Sequence, residues 1–581
     1  MTPNIAEPRR WFRPRCRQGW ACRRPDKLNL GRACGPPPVA TPTPAAQAAP
    51  TSVGEAVPAS NRIIEERKLQ TAAARAMESD ERAFDPLAFV PARVNAHIAK
   101  RYKISKQEIG SGGFGKVFIA EDTEIECRLV AIKQVSAPQH SRLMFENEAS
   151  VMKTMDHPNI CKLLETYDCG ESVFLVMEYC DGGNLLDRIF HGASKTRHSG
   201  LSEDMCANII RQIAGALDHA HARGIAHRDL KPENVCLIDV TSCSNRMPIL
   251  MNFHQRRGAS EGRTCVKVID WGVSAHFRQK RQRMRSTVGT VAYAAPEVLK
   301  ASGGADGYTS SCDIWSLGVL AHVSLTGTFP FGGSSPEKNA RGVGGGQLSV
   351  KSAAWAHVSA LAKSFVSFCL RPDPSARPTA SDVSSHKWLV RTGAASPVDV
   401  VKAAPVLRSL WQSSHAARPL SVYSALVARQ LDHHGLDELP QVFQQLDADR
   451  DGTLSFSEFK SAFELVFGCS SDKLLDVKRT FDLLDLDGSG SIDYTEFIAA
   501  GLGERVKSEK SLKAAFKAFD AQDDDNQITR SEFEEMVAKL PICPEEFAVE
   551  RVFSEFDTDK DGSLDFEEWK EWIHTCVVTV R

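Results

Sequence analysis

The stretch His227-Arg228-Asp229-Leu230-Lys231-Pro232-Glu233-Asn234 decides how this chain is read. It sets a carboxylate, a lysine two residues on and an amide five residues on within one short segment. Asp229 suits the task of accepting the proton of a hydroxyl nucleophile and aligning it for in-line attack. Lys231 would steady a transferred phosphate, and Asn234 would hold a magnesium ion.

Working outward, Ile109-Gly110-Ser111-Gly112-Gly113-Phe114-Gly115-Lys116-Val117 is a glycine loop whose backbone can lie close over triphosphate oxygens. Alone it is a weak signal, because any tight turn collects glycines. Val130-Ala131-Ile132-Lys133 follows at the spacing of the next strands, and its lysine would neutralise the α and β phosphates. Glu148 is the candidate carboxylate for pairing with Lys133. Glu146 competes, but the distance to His157-Pro158-Asn159-Ile160 favours Glu148. Met177, ahead of Glu178-Tyr179-Cys180, is expected to narrow the pocket behind an adenine ring. The expected ATP-contacting set is thus Ile109 to Gly115, Val117, Ala131, Lys133, Met177, Glu178 and Cys180. Further along, Asp270-Trp271-Gly272 offers the main magnesium carboxylate. Ala295-Pro296-Glu297, Asp313-Ile314-Trp315-Ser316-Leu317-Gly318 and Arg377 complete the series, with Glu297 and Arg377 expected to form a bracing ion pair.

A second chemistry occupies the C-terminal quarter. Asp447, Asp449, Asp451, Thr453, Ser455 and Glu458 fall at positions 1, 3, 5, 7, 9 and 12 of a loop with Gly452 at 6. Calcium wants several hard oxygens at that spacing, and the glutamate at 12 binds through both oxygens. Asp485, Asp487, Ser489, Ser491 and Glu496 repeat the pattern, as do Asp557, Asp559, Asp561, Ser563 and Glu568. The repeat period is about 36–38 residues, that of helix–loop–helix units in series. The third unit is altered. Aligning Ile528 and Glu532 to positions 8 and 12 puts Ala521 at position 1 and Asn526 where glycine belongs. One extra residue lies between Asp520 and Asp523. Asp523, Asp525, Thr529 and Glu532 keep some oxygen donors, but the expected role is structural, pairing with the fourth unit. Three calcium sites are therefore expected. Aromatics flank every loop, and the region contains one methionine, Met536, which suggests a dedicated partner rather than a promiscuous groove.

The ordered motifs from Gly110 to Arg377 resemble the protein kinase family. Asp181-Gly182-Gly183 and the attached calcium loops resemble its calcium/calmodulin-regulated branch. Kinase region, linker and four EF-hand units in this order resemble the calcium-dependent protein kinases of plants and alveolate protists. The resemblance implies an α+β bilobal kinase fold followed by an all-α calmodulin-like domain. It also implies Ser/Thr phosphorylation using ATP and magnesium, and a linker that blocks the kinase until the loaded sensor captures or releases it. Arg408, Arg418 and Arg429 are candidate linker contacts. Two departures stand out. Trp271 replaces the family's phenylalanine, and Asn184 replaces a glutamate that meets ribose and substrate arginine, whereas Glu233 is retained. Basic protein substrates are expected. The activation segment Arg278–Arg285 is strongly cationic, and phosphate on Ser286 or Thr287 would relieve the repulsion. A calcium-gated scaffold that binds nucleotide without catalysis is the alternative reading.

Bulk properties set the frame. At 581 residues the chain exceeds one hydrophobic core. Its 16 cysteines form no Cys-x-x-Cys pair, which fits reduced thiols and a cytoplasmic setting. From Pro440 on, 32 acidic residues face 16 basic ones, so the net charge of −2 conceals a cationic first part. The expected divisions are 1–60, a basic Pro/Ala-rich start; 61–101, a partly helical extension; 102–389, the kinase; 390–438, the linker, helical in its later part; 439–505 and 506–578, two EF-hand pairs. The Arg-rich start leaves organelle targeting or membrane association open. No transmembrane segment, no nucleic-acid partner and a monomer are expected.

Overall fold

The computed structural model describes residues 90–578 apart from 95, 113–114, 137–138, 193–199, 240–263, 278–283, 285–288, 301–307, 332–354, 393–397, 416–417, 432–435, 437, 469–470, 523 and 539–548. Gly113, Phe114, Ser286 and Thr287 thus lie outside the described residues, as does Asp523. The chain divides into Met1–Ala76 and Met77–Arg581, and everything described belongs to the second unit.

The first layer is a six-stranded sheet in the order β1-β5-β6-β4-β3-β2. Its strands are β1 Ala92–Val94, β2 Tyr102–Gly112, β3 Gly115–Asp122, β4 Leu129–Ser136, β5 Leu163–Asp168 and β6 Ser172–Glu178. Alternation builds it: in β4, Val130 and Ile132 are fully buried on one face, while Ala131 and Lys133 point to the other. The neighbouring strands run antiparallel except β1, which lies parallel to β5 with Ala92 opposite Thr166. Helix α1, Gln139–Lys153, carries Glu148.

A helical lobe follows. Helix α2, Glu203–Ala222, starts at Ser202, whose hydroxyl accepts from the Met205 amide. Helix α3, Ser311–Thr326, is apolar almost all round and buried along its length, stopping at Gly327 in the left-handed region. Between these helices lie the short pairs β7 (Ile225–Ala226) with β10 (Ala275–His276), and β8 (Val235–Asp239) with β9 (Thr264–Val268). They hold the segments that bear Asp229, Asn234 and Asp270.

The linker forms two helices, α4 Val400–Ser414 and α5 Arg418–Gln430. Only the second was legible as a helical pattern; α4 carries Pro405 inside it and opens at Asp399, whose carboxylate caps the Lys402 amide. The helices of the four helix–loop–helix units are α6 Leu439–Leu446, α7 Phe456–Phe467, α8 Ser471–Leu484, α9 Tyr494–Gly501, α10 Glu509–Phe519, α11 Arg530–Ala538, α12 Val549–Phe556 and α13 Phe566–Val578. Leu407, Leu410, Leu426 and Val427 of the linker share one core with Phe443, Phe459, Phe481, Phe497, Phe519, Phe533 and Trp569. Loops pair through β11 (Thr453–Ser455) with β12 (Ser491–Asp493), and β13 (Ile528–Thr529) with β14 (Ser563–Leu564). The third unit pairs with the fourth. No helix among the described residues is long and apolar enough to cross a membrane.

Candidate functional site

The cleft between the sheet and the helical lobe gathers charged groups that would cost several kcal/mol each if buried unpaired. Lys133 Nζ lies 2.7 and 2.8 Å from the two Glu148 oxygens and 2.9 Å from Asp270 Oδ1. Burial opposes charge on the lysine, but the two carboxylates outweigh it and raise its pKa. Burial pushes Glu148 upward against the pull of Lys133. Asp270 is held below the ordinary carboxylate range, burial being outweighed by Lys133. Asp270 adopts a φ of 63°, which turns its carboxylate toward the lysine. Gly272 completes the turn: a Cβ there would stand 3.1 Å from Glu148 Oε2. Trp271 is fully buried, its ring 4.6 Å from that of His227.

The segment that bears Asp229 is fixed by a buried aspartate. Asp313 on α3 accepts from the His227 and Arg228 amides at 2.9 and 2.8 Å, and its Oδ2 lies 2.8 Å from His221 Nε2. Arg228 takes a φ of 68°, so the chain turns sharply just before Asp229. Asp229 Oδ1 accepts from the Thr290 amide at 2.6 Å, and Oδ2 from Lys231 Nζ at 2.6 Å. Gly289 permits this approach: a Cβ would come within 2.4 Å of the Arg228 carbonyl. Asn234 Nδ2 donates to the Asp229 carbonyl at 2.9 Å, and its amide oxygen is the donor it can offer a cation. Asn234 and Asp270 thus fit a magnesium ion.

In the nucleotide region, Gly110 and Gly112 of β2 face Val117 and Gly115 of β3. Ala131 of β4 pairs with Met177 of β6, and Met177 is buried. Glu178 Oε1 accepts from the Lys162 amide and meets Lys267 Nζ at 2.7 Å, so its side chain serves the framework. Ile109 and Ser111 are exposed, and Cys180 is half-buried. Arg377 and Glu297 pair at 2.6 Å.

Among the described residues of the C-terminal loops three acidic clusters form: Asp447, Asp449 and Glu458; Asp485, Asp487 and Glu496; Asp557, Asp559 and Glu568. Each loop is shaped from within. Glu458 accepts from the Ala448 and Ser455 amides at 2.8 and 2.9 Å, and Asp451 Oδ1 from the Thr453 amide at 2.7 Å. Glu496 and Glu568 do the same, while Ser489, Ser491, Asp561 and Ser563 lie along their loops. Asp447 Oδ1 and Asp557 Oδ1 are buried with no hydrogen-bond partner. Burial and then repulsion from Asp451, Glu458 and Asp449 push Asp447 well up. Crowded carboxylates with free lone pairs fit a divalent cation.

The C-terminal loops meet the two earlier lobes through contacts that no motif announced. The Arg450 carbonyl, inside the first loop, faces Gly215 of α2 so closely that a Cβ there would stand 2.3 Å away. Gly452 lies against the His157 ring, and the Thr495 amide donates to Asp156 Oδ2 at 2.7 Å. His157 packs 5.2 Å from His219, and burial holds it neutral with a pKa lowered to about 3. Lys162 donates to the Ala428 and Leu431 carbonyls at the end of α5, and Gln430 to the Leu164 carbonyl. A glycine inside a long helix such as α2 was the available signal.

Comparison with known proteins agrees with this geometry. Residues 103–389 match the protein kinase domain, and residues 436–500 and 509–573 match the EF-hand domain pair. Calcium-dependent protein kinase 3 of Plasmodium berghei is 30% identical over 478 residues, covering 81% of this chain and 80% of the relative. Calcium-dependent protein kinase 19 of Arabidopsis thaliana is 30% identical over 489 residues, covering 82% and 81%. With this fold, this cleft and these loops in one order, the chain belongs to the calcium-dependent protein kinase family.

Proposed function

We propose that the chain is a calcium-activated serine/threonine protein kinase that moves the ATP γ-phosphate to protein hydroxyls. The arrangement that carries this reading is Lys133 joined to Glu148 and Asp270 within the cleft that also holds Asp229 and Asn234. Asp229 would orient the substrate hydroxyl and take its proton as the new oxygen–phosphorus bond forms and ADP leaves. Lys231, held between Asp229 and Thr290 Oγ1, would neutralise charge on the phosphate in transit. Lys133 would position the α and β phosphates, and Glu148 would keep that lysine in place. Magnesium, when bound at Asn234 and Asp270, screens the phosphate charge. Glu233 presents a buried oxygen, Oε2, without a hydrogen-bond partner, which supports recognition of a basic residue near the target hydroxyl.

The linker supports activation rather than inhibition by calcium. Helices α4 and α5 are packed into the EF-hand core, and their end is tied to Lys162 and Leu164, while the Lys133–Glu148 pair is closed. Calcium, when bound, supplies the charge that lets three carboxylate clusters stand together. The test is phosphate transfer from ATP to a basic peptide, with calcium or chelator. Transfer should need calcium and should fall by at least about 10³-fold in Asp229→Asn, the scale of losing a central catalytic group. Transfer that survives Asp229→Asn would refute the assignment.

A further inference from the structure

The third EF-hand loop keeps the shape of its neighbours but not their chemistry. Asp520 Oδ2 accepts from the Asn526 amide at 3.1 Å, as Asp447 Oδ2 accepts from Gly452 at 3.2 Å and Asp557 Oδ2 from Gly562 at 3.1 Å. Glu532 Oε1 accepts from the Ala521 and Gln522 amides, as Glu458 does from Ala448 and Asp449. Asp520 therefore stands in the place of the first ligand, and the extra residue is absorbed between it and Asp524. Asp524 takes a φ of 58°, matching Arg450, Gly488 and Lys560 of the other loops.

The difference is what lies against the carboxylates. Lys517 Nζ is 3.1 Å from Asp520 Oδ2 and 2.8 Å from Asp524 Oδ1. Arg93 Nη1, from β1, is 3.8 Å from Asp520 Oδ1 and 3.7 Å from Asp524 Oδ1. Asp520 Oδ1 accepts no hydrogen bond, so Arg93 meets it through charge alone. Arg93 also donates to the Lys517 carbonyl at 2.9 Å and to the Asp520 carbonyl, closing the C-terminus of α10. Its Nε donates to Glu165 Oε2 at 2.9 Å, and Tyr167 donates to Asp524 Oδ2 at 3.1 Å, both from β5. All four charged side chains of the cluster are 5% exposed or less. The corresponding position three residues before the first ligand is Gln444, Asp482 and Ser554 in the other units, and lysine only here.

We propose that this loop has exchanged its metal for two of the chain's own cations and acts as a calcium-independent anchor. Lys517 and Arg93 already stand against Asp520 and Asp524, so a calcium ion added there would meet two buried cations of the chain itself. The anchored partner is β1, the edge strand of the kinase sheet, together with β5. The second EF-hand pair thus stays on the sheet edge at low calcium, and the metal-binding loops act on a sensor already attached.

Hydrogen exchange of the full chain tests the anchor without relying on kinase activity. Amides 520–529 and 92–94 should be equally protected in calcium and in chelator, whereas amides 447–458 should gain protection with calcium. Calcium titration should count three ions per chain. A second arm rests on the calcium-activated reading: Arg93→Ala and, separately, Lys517→Met should raise half-activating calcium at least about fivefold, the lower end of ordinary coupling between sites. Protection of 520–529 that appears only with calcium would overturn the anchor. So would a fourth calcium ion that Asp520→Asn removes. If exchange behaves as stated but both variants activate at unchanged calcium, the loop is not coupled to the switch and the anchoring role fails. If no variant responds to calcium at all, it is the activation reading that fails.

Discussion

The two halves of the sensor hold the kinase fold by different means. The first pair brings its metal loops themselves to the surface: the Arg450 carbonyl over Gly215, Gly452 against His157, and the Thr495 amide on Asp156. The second pair brings a loop whose carboxylates are matched by Lys517 and by Arg93 of the kinase side. One contact is built from groups whose geometry answers to a cation from solution. The other carries its cations in the chain. On the proposal made for the third loop, docking by an EF-hand loop does not require metal binding.

The two halves should differ most at the position-12 glutamates. Glu458→Gln should lower calcium affinity at the first loop by at least about 100-fold, beyond the 10–100-fold effect of disturbing an outer-shell partner. Glu532→Gln, at the matching place in the third loop, should leave the number of bound calcium ions unchanged. Calorimetric titration of both variants checks the contrast. Equal losses of calcium would erase the distinction between the halves.

Next in size is Gly215→Ala. In a helix interior alanine is favoured over glycine by about 1 kcal/mol, so the kinase fold itself should not weaken. Its Cβ would meet the Arg450 carbonyl at 2.3 Å, and backbone cannot yield cheaply there. Half-activating calcium should rise about tenfold, a coupling change of ordinary size. A calcium titration of activity decides it, with unchanged thermal stability as the control. The smallest effect belongs to Asp156→Asn, which keeps an acceptor for the Thr495 amide but removes its charge. A loss of about 0.5–1 kcal/mol, or roughly two- to fivefold in half-activating calcium, is expected.

How much of this could be read from sequence depends on where the constraint lies. The segments around Asp229 and Asp447 are legible because their chemistry demands fixed residue types at fixed local spacing. The third loop's departure was visible in the extra residue before Asp523 and in Asn526. Its meaning was not: Lys517 lies outside the loop and Arg93 more than four hundred positions away, and only the fold brings them to Asp524. The strand Ala92–Val94 was hidden because three residues carry no measurable alternation. Helix α4 was obscured by Pro405, which local propensity counts against a helix and which burial of Ala403, Leu407 and Leu410 overrides. Gly215 of α2 matters only through the fold, which sets the Arg450 carbonyl in the space beside it.

The most direct test of the account is the rate of γ-phosphate transfer to a basic peptide by the full chain, followed across a calcium titration begun in chelator. Transfer should be negligible in chelator and rise steeply as the three acidic clusters fill. A rate that is the same in chelator and in saturating calcium would contradict it.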